Sequence, residues 1–116
     1  MSSELREKLV EAAKRGTLIH YEDIAPMFGL NFDLDADRAE VGRLLDVVSR
    51  SEHAARRPLL SAVVVHKGDD EIPGAGFFKL ARELGTYKGG DRKLYWTTEF
   101  MAVCRYWKES NERSVD

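Results

Sequence analysis

The sequence predicts a mostly α single domain with five helical segments and a minor β element, on three observations. Apolar residues recur at helical spacing in three separate stretches. Glycines stand where the helical segments should stop, at Gly16, Gly29 and Gly85. Only one stretch, Leu59 to His66, is β-branched and continuously apolar, as a strand covered on both faces would be.

The first helix spans about 3–15, with Leu5, Leu9, Ala12 and Ala13 on one side. Glu4→Lys8 and Glu11→Arg15 add favourable i,i+4 pairs. Thr17-Leu18-Ile19 should be short and extended, and a second helix should run from Tyr21 to Phe28, with Pro26 disturbing its later turns. The third helix is the clearest: Val41, Leu44, Leu45 and Val48 form its stripe, Asp35 or Asp37 can cap it, and it should fade before Pro58. After the strand, Lys67-Gly68-Asp69-Asp70 reads as a turn and Pro73-Gly74-Ala75-Gly76 as a tight bend. A fourth helix covers Phe77 to Leu84, and Thr86 to Lys93 reads as a polar loop. Thr97 or Thr98 should cap the last helix, which carries Phe100, Val103, Cys104 and Trp107. The domain is expected to span 1–110, with 111–116 a frayed tail.

The 116 residues, 43% of them hydrophobic, suffice for one core; a chain of this size buries roughly two-thirds of its unfolded surface. No apolar run approaches the ~20 residues of a membrane span. The N-terminus has no signal-type apolar stretch, and a single cysteine excludes an internal disulfide. The expectation is a small, soluble, cytoplasmic domain. The net charge of −2 is segregated. Residues 20–46 carry seven acids against Arg38 and Arg43, a net of −5, whereas 50–67 and 79–113 each carry +3.

The candidates for chemistry each have a plainer reading. Asp33-x-Asp35-x-Asp37 lacks the glycine and glutamate of a calcium loop, with Arg38 and Leu44 in their places. A helix N-terminus that attracts acids explains the triplet better. The acids 69–71 have no second cluster aimed at them. Ser61 and His66, five apart, would point to opposite faces of a regular strand, and no G-x-S-x-G turn is present. Cys104 lies on an apolar stripe. Gly74-Ala75-Gly76 suits a bend better than a phosphate cradle, and Tyr95, Trp96, Tyr106 and Trp107 suit a core better than base stacking. No metal or cofactor is expected, and no catalytic set assembles.

Residues 16–85 nevertheless follow an outline. Gly16-Thr17-Leu18-Ile19-His20-Tyr21-Glu22-Asp23-Ile24-Ala25 leads to Arg38-Ala39-Glu40-Val41-Gly42, then to Pro58-Leu59-Leu60-Ser61-Ala62-Val63-Val64-Val65 and Gly74-Ala75-Gly76-Phe77. In order and spacing this resembles the C-terminal, winged-helix-like DNA-binding domain of the O6-alkylguanine-DNA alkyltransferases and alkyltransferase-like proteins. There a glycine precedes Thr-Tyr-Gly-x-Ile-Ala, followed by Arg-Ala-Val-Gly, a Pro-Cys-His-Arg-Val-Val strand and a Gly-Gly-Tyr bend. The resemblance implies a helix-turn-helix fold, with Tyr21 meeting a phosphate and Arg38 entering the base stack as a base is flipped out. The reactive cysteine and its histidine are missing from the strand, so methyl transfer to a thiolate is not expected.

The leading expectation is therefore a non-enzymatic protein binding double-stranded DNA. Tyr21, Arg38 and Arg43 would meet the DNA, with Arg50, Arg56 and Arg57, or Lys88, Arg92 and Lys93, on flanking phosphates. The alternative is a protein-interaction module, a regulator or inhibitor, presenting the acidic 20–46 face to a basic partner.

Overall fold

The computed structural model describes residues 2–68 and 71–114, and the side chains of all but 2, 3 and 111–114 among them. Five α-helices and a two-strand parallel sheet are present among these residues. Helix α1 (Ser2–Arg15) buries Leu5, Leu9, Ala12 and Ala13, and Gly16 ends it at φ 68°. Strand β1 (Ile19–His20) leads into α2 (Tyr21–Ile24), which tightens into a 3-10 turn (Ala25–Phe28) where Pro26 cannot supply an N–H. Gly29, also at φ 68°, closes that turn. Helix α3 (Asp35–Ala54) buries Val41, Leu45 and Val48. Beyond it lie β2 (Val64–Val65), α4 (Ala75–Leu84) and α5 (Arg92–Ser114). The strands pair in parallel register, Ile19 with Val64 and His20 with Val65, and α3 forms the crossover. Helices α1 and α5 pack together, with residues 60–63 beneath both.

Residues 59–65 are buried throughout, as expected, but only Val64–Val65 is strand; Leu60–Val63 forms a 3-10 turn. The reason is where the backbone finds its partners. The Leu59 N–H donates to Glu99 at 2.8 Å, the Ser61 N–H to Ser49 Oγ at 3.0 Å, and the Ala62 carbonyl accepts Trp96 Nε1 at 2.7 Å. Side chains of α3 and α5 satisfy these groups, so no neighbouring strand is required.

Three helix starts also differ from the sequence expectation. The cap position of α3 is Leu34, which makes no side-chain cap; Asp37 instead accepts the Asn31 N–H at 2.9 Å, pinning the preceding loop. Helix α4 begins at Ala75, so the expected bend at 73–76 already contains its first turn. Helix α5 begins at Arg92 because Asp91 Oδ1 accepts the Leu94 N–H at 3.1 Å, the bond of an N-cap. Thr97 and Thr98 therefore lie inside the helix, bonding back to the Lys93 and Leu94 carbonyls. The polar loop shortens to 86–91, and helix α5 continues past 110 to Ser114. No described helix is long and apolar enough to cross a membrane.

Candidate functional site

The first turn of α4, the start of α2 and the N-terminal half of α3 enclose a cleft of about 260 Å³. An aromatic ladder forms one wall. The Arg38 guanidinium lies 5.2 Å over the Phe32 ring, and its Nε–H donates to the Phe32 carbonyl at 3.0 Å. Phe32 stacks on Tyr21 with centroids 5.7 Å apart and planes 10° apart. Tyr21 in turn lies 4.7 Å from the exposed His66 ring. The buried Tyr21 hydroxyl accepts the Gly74 N–H at 2.8 Å, which leaves its own proton to donate. Burial raises the Tyr21 phenol above its usual 10.0 despite that bond, so it remains a donor at neutral pH. A Cβ at Gly74 would stand 2.8 Å from His66 Nε2, so a side chain there would displace the exposed His66 ring.

Ser61 and His66 both line this cleft. The expectation of opposite faces assumed a regular strand, and the 3-10 turn at 60–63 removes the alternation on which it rested. No hydrogen bond joins the two. Ser61 Oγ pairs instead with the fully buried Ser49 Oγ at 2.6 Å. A hydroxyl held by another hydroxyl has no base to take its proton, so this arrangement supplies no activated nucleophile. Cys104 is not part of this cleft; it lines a separate one beside Lys14 and Lys108, and burial raises its thiol pKa. Asp46 is the carboxylate of the Tyr21–Arg38 cleft, and partial burial raises its pKa too.

The predicted DNA-contacting cations fall into distinct settings. Arg43 forks onto Glu40 at 2.8 and 2.7 Å, and Arg50 pairs with Glu83 at 2.6 Å. Arg57 and Arg6 both close on Glu52, whose side chain is 0% exposed, at 2.8 Å and 3.0 Å. Burial pushes that carboxyl up, but the hydrogen bonds from Arg57 and Arg6 outweigh it and hold the pKa below its usual value. Arg56 takes the left-handed conformation, φ 62°, that ends α3, and is exposed beside it. Lys88 and Lys93 are exposed on either side of the Gly89-Gly90 bend. Arg92 joins Lys79 and Arg82, neither anticipated from the sequence, around a second cleft of about 320 Å³ on the other side of the α4 first turn.

The acids of 20–46 are not equally available to a partner. Glu40 is taken by Arg43, Asp37 by the Asn31 N–H, and Asp46 faces the cleft. Glu22 turns one oxygen inward without a hydrogen-bond partner. Glu71 accepts from His20 Nε2 at 2.5 Å, while Asp69 and Asp70 lie outside the described residues. Among the described residues no three metal-ligating side chains gather. Phe32 was missed in the sequence, where it carries no periodic or motif signal; only contact across the fold gives it a role. No protein-family model, no curated protein and no solved structure matches this chain.

Proposed function

We propose that this protein binds double-stranded DNA without altering it chemically. It is a helix-turn-helix domain of winged-helix, alkyltransferase-like type whose cleft receives a base turned out of the stack. One observation carries the reading. Tyr21, Arg38 and the Gly74–Phe77 bend, which fall in three separate segments of the alkyltransferase outline, line a single cleft. Its volume of about 260 Å³ falls just under the roughly 300–1,000 Å³ typical of drug-sized ligands, a size suited to a nucleobase. The ladder of Phe32, Tyr21 and His66 offers aromatic surface, and the Tyr21 and Ser61 hydroxyls offer hydrogen bonds. Arg38 is exposed, and its terminal nitrogens stay available because only its Nε–H is committed. No thiol occupies the cleft and Ser61 lacks a base, which favours recognition over repair.

The test is fluorescence anisotropy with a labelled duplex and with the same duplex carrying one mismatched, easily extruded base. The mismatched duplex should bind more tightly, because less unpairing energy opposes flipping. Arg38→Ala should weaken binding by about 1–3 kcal/mol. Absence of binding at micromolar protein in low salt would defeat the reading.

A further inference from the structure

We propose that the cleft formed by Lys79 and Arg82 of α4 and Arg92 of α5 is a phosphate site that holds the backbone of a bound DNA duplex. This deepens the DNA reading above and rests on it. Five arginines elsewhere in the fold are spent on carboxylates: Arg6 and Arg57 on Glu52, Arg15 on Glu11, Arg43 on Glu40, Arg50 on Glu83. Lys79, Arg82 and Arg92 have no ion-pair partner among the described residues, yet they share one concavity. No carboxylate lines it. The two acids adjacent in sequence are turned to other tasks, Glu83 to Arg50 and Asp91 to capping α5.

The two guanidiniums are also held in place without being neutralised. Arg82 lies 5.5 Å over the Tyr87 ring and Arg92 5.1 Å over the Phe78 ring. An aromatic face fixes a guanidinium and lowers the entropy lost on binding, but leaves its N–H groups for an anion. Three like charges brought together repel one another, and a polyanion relieves that repulsion while releasing its own counterions. The placement suits a strand more than a single ion. Ala75 and Gly76 border both this cleft and the one lined by Tyr21 and Arg38, so the two open on either side of the same helical turn. A Cβ at Gly76 would meet nothing within 4 Å, so the turn faces open space at that position. A duplex backbone crossing this turn reaches both clefts.

The experiment is the salt dependence of duplex affinity for the wild type and for Lys79→Gln, Arg82→Gln and Arg92→Gln, singly and combined. Each lost phosphate contact should reduce the slope of log affinity against log salt by about 0.9, and the triple variant by about 2.7. Arg82→Lys and Arg92→Lys, which keep the charge, should retain most of the slope, as should Lys8→Gln on α1. The single variants carry the test should the triple variant fail to fold, which circular dichroism reports. An unchanged slope in a variant set whose wild type binds duplex would overturn this inference and leave the DNA reading standing. Inorganic phosphate competing better than chloride at matched ionic strength in wild type, and not in the triple variant, would make this a free-phosphate site and overturn the assignment to a duplex. Failure of the wild type to bind duplex would overturn both.

Discussion

The two halves of α3 use polar side chains in opposite ways. In the C-terminal half, Ser49 and Glu52 are fully buried and their hydrogen bonds are met inside the protein, by Ser61, Arg6 and Arg57. Nearer the N-terminus, Arg38 and Asp46 line an open cleft, and Arg38 has no carboxylate partner among the described residues. The same helix thus holds the fold together at one end and presents unmet polar groups at the other. A charged residue near a cleft is evidence of binding only after its partners are counted. By that measure Arg57, nominally part of a basic segment, is structural, whereas Arg38 is available.

If that contrast is right, the largest stability effect should come from Glu52. Glu52→Gln leaves two guanidiniums without their carboxylate. Breaking a buried pair costs about 3–5 kcal/mol, and because Arg6 and Arg57 reach solvent the expected loss is roughly 2–3 kcal/mol by urea denaturation. Its pKa is lowered in the folded state, so this stabilisation is complete above the ordinary 4.5 and is lost as pH falls through the lower folded value. Glu52→Gln should flatten that acid limb. Ser49→Ala comes next, at about 1–3 kcal/mol, because it strands the buried Ser61 N–H as well as its hydroxyl. A midpoint unchanged from wild type would show that residues 60–63 do not depend on this side chain.

The open end should respond in the reverse sense. Asp46 has a raised pKa, so its charged form costs stability once pH rises through that value. Asp46→Asn should raise the denaturation midpoint slightly at neutral pH. It should also tighten duplex binding by roughly 0.5–1 kcal/mol at low salt, the scale of charges several ångströms apart near a surface. Wild-type affinity should likewise rise as pH falls through the Asp46 pKa, and the variant should lack that rise. Weaker duplex binding by Asp46→Asn would mean that the carboxylate contacts the ligand rather than opposing it.

Much of the fold was legible in advance. The stripes of α1 and α3 are buried as the spacing predicts, and Gly16, Gly29 and Gly85 adopt the left-handed conformation that ends a helix. Tyr21 and Arg38, both singled out in the sequence, line one cleft. The failures have two causes, one local and one tertiary. Thr97 and Thr98 are good capping residues, but Asp91 lies earlier and its carboxylate reaches the Leu94 N–H first. Arg57 and Lys79 look alike in a charge count, and only contact separates the neutralised cation from the available one.

Helix positions, their stops and the apolar faces are properties of neighbouring residues, since helical spacing and the backbone freedom of glycine act over a few positions. The sequence determined these without help from the fold. The state of residues 59–66 was not local in this sense. A strand exists only where a second strand offers partners, and here Ser49, Glu99 and Trp96 met the backbone instead, from 12 to 40 residues away. Tertiary structure likewise chose which cations Glu52 would claim, reaching Arg6 across 46 residues, and which would face solvent together at α4. Side-chain pairing at such separations depends on how the helices pack, and no local pattern encodes it.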